Sequence, residues 1–484
     1  MTEPNTQPIS VTEKITQSMA VAPAGNDLDR RDGRRLIMYT FFWSFMFLLA
    51  TPIACLISGE GFGVFANFRH ILTSPSKLVT DYFNLGSIGA AFLNAGLCGL
   101  ACNLVMLATK AKPCATLLAG YFLVVAHCFY GLNLINMWPP FLGVLVFCLV
   151  FRESPGKMLH LAMFSTSLGP FISDLLFRYT LGDKFDPDHP QLTVLGIILA
   201  IFFGLGAGFL VPALLPGTAK MHRGHNLFKA GLAIGLFGMF AYALLYKSMG
   251  ISTPDTVIRE NPLYTDSGES YILFVTLFFA TVFLTTMAIG FVGNGCSFKG
   301  YHKLWKCDGW QDDFPVRFGM PLTMINVGIY GFFILAYMVL ILFGTFGVGY
   351  SGPTVGVTIA AITFAASGQT PRTVWPIALG YGLFSALSAG ICSLAGLPIA
   401  WTLSTQGYIN GFAFATGLCP FSGRYGWKIG VLAGVLHAIL CTSTAAMHGG
   451  FVLYNGGLTS GLTAMLLIPI LDFYHAKTLE VSEE

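Results

Sequence analysis

The chain has 484 residues, of which 54% are hydrophobic and only 10% charged. A soluble domain carries about 25% charged residues, so this composition excludes a soluble fold and places the chain in a bilayer. The formal net charge of +3 is too small for a nucleic-acid surface, and no basic aromatic stretch supplies one.

Residues 1–35 read as a disordered cytoplasmic tail, polar and rich in Thr, Gln, Pro and Glu. They lack the basic start, short apolar core and cleavage site of a signal peptide. Arg30, Arg31, Arg34 and Arg35 precede the first apolar run, and such a cluster stays on the cytoplasmic side. Apolar runs of spanning length then recur as far as Phe473. The first half, 36–260, is expected to hold seven spans near 36–58, 84–108, 113–133, 139–151, 158–179, 192–216 and 229–247, with 59–83 as an interfacial connection. The second half, 261–475, is expected to hold seven more near 271–294, 318–345, 353–368, 374–398, 407–422, 427–447 and 451–473. Residues 476–484 form a cytoplasmic tail in this reading. Segments 139–151, 353–368 and 407–422 are short for straight helices and read as half-helices or re-entrant segments.

The loop charges follow this count. Loops expected inside hold Lys110 and Lys112, Arg152 and Lys157, Lys220 and Arg223, Lys299 to Arg317, Arg372 and Arg424. Loops expected outside are acidic, mixed or uncharged, as with Asp183, Asp186 and Asp188, or Asp255, Glu260, Asp266 and Glu269. The eleven Cys follow neither metal nor disulfide spacing. Most sit in or beside apolar runs as small packing residues, and Cys296 and Cys307, in a connecting segment, are expected to be reduced.

The chain also matches itself. Met221 to Met239 reads MHRGHNLFKAGLAIGLFGM and Met447 to Met465 reads MHGGFVLYNGGLTSGLTAM, with nine of nineteen positions identical. Three further blocks recur in the same order. Asn94-Ala-Gly96-Leu-Cys-Gly99 returns as Asn326-Val-Gly328-Ile-Tyr-Gly331, and Gly131…Trp138-Pro139…Gly143 as Gly368…Trp375-Pro376…Gly380. Phe164-Ser-Thr166-Ser-Leu168-Gly-Pro170-Phe171 returns as Phe414-Ala-Thr416-Gly-Leu418-Cys-Pro420-Phe421. Shared order argues for duplication. With seven spans per half, the second copy is turned upside down relative to the first.

Inverted repeats bring equivalent broken helices together at mid-membrane, where backbone groups and hydroxyls bind ions or polar solutes. The third block is the leading candidate pair for substrate or ion binding: Ser165, Thr166 and Ser167 in one copy, Thr416 and Ser422 in the other. Pro170 and Pro420 each remove a backbone donor there. Asp174 and Arg424 occupy equivalent positions; the first would bind a coupling cation or proton, the second an anionic substrate. A salt bridge of Asp174 with Arg178, and an interfacial anchor role for Arg424, are the competing readings. Asn94 and Asn326 bind solute or hydrogen-bond across helices. Asn133, Asn136, Gln369 and Thr370 at the Trp-Pro breaks, and His127 and His437 within spans, are weaker candidates.

The paired blocks N-x-G-[LI]-x-G, G-x₆-W-P and T-x-L-x-P-F resemble an uncharacterised family of bacterial polytopic membrane proteins carrying two copies of a domain of unknown function. By architecture alone the chain is similar to the seven-plus-seven inverted-repeat fold of nucleobase and anion transporters. The acidic substrate-binding residues of its nucleobase members have no counterpart here, so fold analogy carries no substrate. No phosphate loop, H-E-x-x-H, paired carboxylates or Ser/His/Asp spacing appears, so an enzyme is not expected. The reading is an all-α polytopic membrane protein of about fourteen spans in two inverted seven-span repeats with broken helices. It would be a secondary transporter in the bacterial cytoplasmic membrane, N- and C-termini cytoplasmic, moving a small polar solute by alternating access. It has no cofactor beyond a coupling Na⁺ or H⁺, and a homo-oligomer is compatible with it. A passive channel, or a membrane enzyme or assembly subunit without transport activity, are the alternatives.

Overall fold

The computed structural model describes residues 28–186, 189–253, 268–344 and 350–479. Most of the expected N-terminal tail, the end of the C-terminal tail, and the loop charges Asp188, Asp255, Arg259, Glu260 and Asp266 lie outside the described residues. In the first half the helices are α1 (Arg30–Ser58), α2 (Gly63–Thr73), α3 (Tyr82–Leu85), α4 (Ile88–Ala108), α5 (Ala115–His127), α6 (Trp138–Phe151), α7 (Pro155–Ser165), α8 (Gly169–Phe177), α9 (Val194–His222) and α10 (Lys229–Tyr242). A π-helical turn, Ala243–Lys247, continues α10. In the second half they are α11 (Gly268–Gly293), α12 (Tyr301–Lys306), α13 (Phe314–Gly344), α14 (Gly352–Ala361), α15 (Pro371–Leu394), α16 (Gln406–Ala415), α17 (Cys419–Tyr425), α18 (Trp427–Met447) and α19 (Asn455–Phe473).

Among the described residues, nine helices are long and apolar enough to cross a bilayer: α1, α4, α9, α10 with its π turn, α11, α13, α15, α18 and α19. The chain is a multi-pass membrane protein on that evidence. α5, α6 and α14 are apolar but only 10–17 residues long. Every expected segment contains helix, with two shortened. The run 113–133 is helical only over α5 and the run 353–368 only over α14. Each apolar stretch continues past its helix end into a turn at a glycine with positive φ, Gly131 (148°) or Gly368 (130°). Polar residues set several helix starts: Ser87 accepts from Ala90 N–H, Thr193 from Gly196 N–H and Ser351 from Thr354 N–H.

The same interactions recur in both halves. Asn94 Nδ2 donates to the carbonyls of Cys128 and Leu132, both 2.8 Å away. Asn326 Nδ2 donates to those of Ala365 and Gln369, at 2.8 and 2.9 Å. Gly96 and Gly99 let α4 close on Leu48 and Ser44 of α1, as Gly328 and Gly331 let α13 close on Met287 and Phe283 of α11. The contact of α6 with α9 uses Gly143, Gly204 and Gly208; that of α15 with α18 uses Gly380, Gly430 and Gly434. At each of these six a methyl group would overlap a neighbour, so small residues here permit helix approach that bulkier ones forbid.

Equivalent helices also meet across the halves, and they run antiparallel. Along α1 and α11, Tyr39 bonds Thr286 (3.2 Å), Trp43 faces Phe283 and Phe47 faces Phe278. On α14, Gly352 packs on the Phe129 carbonyl just beyond α5, and Gly356 on that of Ala126. On α10 and α19, Gly235 faces Leu458 while Gly461 faces Leu232, and Gly231 faces Gly457. These contacts are reciprocal, as in an isologous interface.

The Gly231–Gly457 crossing has no room for a side chain: a Cβ on Gly457 would lie 2.9 Å from the Gly231 Cα. Gly231→Ala is expected to destabilise the protein by about 1–3 kcal/mol, the usual cost of overpacking. Gly206→Ala, where nothing lies within 4 Å, is expected to be neutral. Thermal unfolding in detergent checks both; equal melting temperatures for the two variants would remove the crossing as a constraint.

Candidate functional site

Two broken helices lie at the junction of the halves. α7 passes into a 3₁₀ turn, Thr166–Leu168, before α8, and α16 passes into Thr416–Leu418 before α17. Pro170 and Pro420 follow each turn and cannot donate to the carbonyl four residues back, which is why the α-helix stops there. The Thr166 and Thr416 carbonyls accept from Gly169 and Cys419 N–H within the turns, while the next carbonyls accept across the halves, Ser167 O from Leu453 N–H (3.0 Å) and Gly417 O from Leu227 N–H (2.9 Å). The cross-half donors come from the two copies of the M-H-x-G-x-x-L loop. Arg223 and Gly224, like Gly449 and Gly450, take positive φ (46°, 77°, 61° and 81°) and turn each loop onto the opposite half's break.

Behind these bonds sits an aromatic cluster. Phe228 packs on Phe364 (4.8 Å between ring centroids) and Phe414 (4.9 Å), and its repeat equivalent Tyr454 packs on His127 (6.3 Å) and Phe164 (6.0 Å). Phe228 and Tyr454 meet at 5.8 Å.

A cavity lies against each side of the cluster, and the two are repeat equivalents. One is lined by Phe164, Leu227, Lys229, Ala230, Phe364 and Ser367, with Thr116 at its edge. The other has Phe414, Leu453, Asn455 and Gly456 in the corresponding places, with Tyr130 where the first has Ser367. Their volumes differ: the Lys229 cavity holds about 10 Å³ and the Asn455 cavity about 230 Å³. The smaller is at the lower limit for a single water.

Polar groups close over the Lys229 side. Trp310 Nε1 donates to the Arg223 carbonyl (3.0 Å), and Arg223 pairs with Asp472 (2.6 Å). The Arg424 guanidinium lies 4.1 Å from the Trp310 ring centre and 3.8 Å from Asp308. His225, in the loop before α10, stacks on Phe421 (5.0 Å), and burial with Arg424 nearby lowers its pKa to about 4.

The residues singled out from the sequence fall around this centre rather than in the cavities. Ser165, Thr166 and Ser167 donate to the carbonyls three residues back, Ala162, Met163 and Phe164, and Ser165 also reaches Pro140 O. Thr416 donates to Ala413 O and accepts from Gln369 Nε2 (2.7 Å). Ser422 Oγ has no hydrogen-bond partner and packs on Gly430. Asp174 is fully buried, paired bidentately with Arg178 (2.6 and 3.0 Å), and accepts from Tyr246 Oη (2.6 Å). Asn94 and Asn326 tie down the turns after α5 and α14. Asn133 with Asn136, and Thr370 with Thr373, close those turns through exchanged side chain–backbone bonds. His437 bonds Tyr381 and Ser460. Among the described residues, no group of three or more His, Cys, Asp or Glu side chains is placed to hold a metal ion.

Sequence reasoning passed over Asp81 and Asp313. Asp81 accepts from Gly352 N–H at the start of α14 (2.9 Å), and Asp313 from Ala115 N–H at the start of α5. Each carboxylate caps the other half's short helix, and burial pushes Asp313 up to about 6. The signal was present: the step from Asn94 to Asn326 also carries Asp81 to Asp313. Lys229 with Asn455, and Tyr130, were likewise not assigned to a site.

A family model described as "Protein of unknown function (DUF1576)" matches the chain twice, over residues 62–247 and 294–473. No curated protein and no solved structure matches it.

Removing one partner of a buried ion pair strands the other, at a cost of about 3–5 kcal/mol. Asp174→Asn is therefore expected to lower the melting temperature sharply, and adding Arg178→Gln to restore part of it. A stable single variant would show that the pair does not hold α8 in place.

Proposed function

This chain belongs to the DUF1576 family, in two copies of its domain, and we propose that it is a secondary active transporter moving a small polar solute by alternating access, coupled to Na⁺ or H⁺. In this reading it has fourteen spans in two inverted seven-span repeats, in the bacterial cytoplasmic membrane with both termini cytoplasmic. The observation that carries it is the pair of equivalent cavities, one about 230 Å³ and the other about 10 Å³, on either side of one aromatic cluster. Two equivalent packings of one repeat differing in which cavity is open are what alternating access requires. The antiparallel meeting of equivalent helices supports the inversion, because parallel repeats would bring equivalent helices together running the same way. The basic loops support a cytoplasmic place for the Lys229 cavity, which in this reading makes the conformation outward-facing.

Site-directed labelling tests the reading without knowing the solute. In a background with Cys55, Cys114, Cys296, Cys392 and Cys441 replaced by Ser, Ala445→Cys reports on the Asn455 cavity and Thr116→Cys on the Lys229 cavity. Joining Arg223→Cys to Asp472→Cys by a reducible bifunctional thiol cross-linker, because the long Arg–Asp pair exceeds the reach of a direct disulfide, is expected to protect the thiol at 116 and leave that at 445 reactive from outside. Reduction should restore labelling at 116. Simultaneous labelling of both positions in the cross-linked protein would mean an open pore, and with it a channel. Impermeant reagents should reach Arg69→Cys from outside and Lys299→Cys only from inside; the same side for both would end the inverted topology.

A further inference from the structure

Two helices begin at the cavities. Lys229 and Ala230, the first residues of α10, line one, and Asn455 and Gly456, the first of α19, line the other. Neither helix has a side-chain cap. A helix start presents orphan N–H groups and the positive end of the helix dipole, and both are stronger in a low-dielectric interior. His448 Nε2 bonds Asn455 Oδ1 (2.9 Å), which leaves the amide's Nδ2 as a donor.

A second observation is independent of the helix ends. Tyr130 lines the Asn455 cavity, is fully buried, and its hydroxyl has no hydrogen-bond partner. Beside it, both ring nitrogens of His127 and the hydroxyl of Tyr454 are also buried and unpartnered. The His127 ring lies 5.5 Å from that of Tyr130 and 6.3 Å from that of Tyr454. The repeat puts Phe364 and Phe228 at the positions of His127 and Tyr454, so the fold itself does not demand polar groups at those two; at the position of Tyr130 it puts the smaller hydroxyl of Ser367. Unpartnered buried groups are costly unless something else satisfies them.

Asn455 Nδ2, Tyr130 Oη and the N–H groups at the start of α19 can all donate into the larger cavity. Among the described residues no carboxylate lines either cavity, and Lys229 is the one charged residue that does. The rest of the larger cavity is mostly apolar and aromatic, with Val357, Trp401, Phe414 and Leu453, and carries the neutral polar side chains of Asn410, Thr442 and Thr459. We propose that the solute is a monocarboxylate with a small apolar body. Its carboxylate is received at the start of α19 by Asn455 and Tyr130, with His127 behind, and is released past Lys229 at the start of α10. This rests on the transport reading above but is testable apart from it.

The probes are sodium acetate, butyrate and benzoate against acetamide, butyramide and benzamide, on the purified full chain at constant Na⁺ and ionic strength. At least one carboxylate is expected to bind and its amide not. Tyr130→Phe should weaken that binding by about tenfold, the worth of one hydrogen bond to a charged group. Asn455→Asp should abolish it, and Lys229→Gln should spare binding but slow uptake into proteoliposomes. Unliganded melting temperatures separate a lost site from a lost fold; if Asn455→Asp does not fold, the isosteric Tyr130→Phe decides. Amides binding as well as carboxylates, no probe binding, or unchanged affinity in both folded variants would overturn the proposal. Carboxylate binding without uptake would keep the site and end the transport reading. Uptake of neutral solutes, uncompeted by carboxylates, would keep transport and end this inference.

Discussion

The structure depends on two backbone hydrogen bonds, Leu453 N–H to Ser167 O and Leu227 N–H to Gly417 O. In hydrocarbon a backbone group without a partner costs several kcal/mol, so interrupted helices survive only where something else completes them. Here each half completes the break in the other. The interruption at Pro170 and the loop at His448 are therefore one feature, as are Pro420 and the loop at His222. The carbonyls at these two breaks are thereby engaged within the protein, and the hydroxyls of Ser165, Thr166, Ser167 and Thr416 are hydrogen-bonded within their own helices or to neighbouring segments at Pro140 and Gln369. What faces the cavities is instead the start of the helix that follows each loop.

The same dependence runs through the short helices. α5 and α14 cannot span a bilayer alone, and each begins under a carboxylate of the opposite half. With Gly231 against Gly457, the reciprocal contacts form one continuous seam. Neither copy of the domain has a complete hydrogen-bond set without the other, which gives a physical reason for the fusion of two copies in one chain.

Much of this was legible in the sequence. All fourteen apolar segments contain helix, and the self-matching motif located both loops that bridge the halves. The Asn and Gly of the second block proved to be a cap on two carbonyls and a close helix contact, which a repeated N-x-G-x-x-G already suggests. The helix ends of α5 and α14 were not legible, since hydropathy is blind to a glycine turning at positive φ inside an apolar run. Nor were the cavities. Their lining comes from distant segments such as Tyr130, Trp401 and Asn455, joined only by packing. Polar residues near prolines mark the breaks, whereas the cavity linings are set by packing between segments far apart in the chain. Asp81 and Asp313 were hidden for a different reason: each is a lone acid at a span boundary, significant only when the two copies are superposed.

The symmetry of the backbone makes the asymmetry of the side chains informative. The two cavities differ at Lys229 and Asn455, at Ser367 and Tyr130, and in the loops at Arg223 and Gly449, so the repeat relates them in fold but not in composition. The differences fall where they bias which of the two opens. Arg223 pairs with Asp472 and Arg424 lies on Trp310 over the smaller cavity, whereas the equivalents of the two arginines, Gly449 and Asp174, form no such seal over the larger. Yet Arg223 and Asp472 are 61% and 51% exposed, and an ion pair that open to water contributes at most about 1 kcal/mol. On the proposed transport reading, a seal of that strength sets a resting preference without locking it. A solute that prefers one cavity over the other by a few kcal/mol would be enough to reverse the balance.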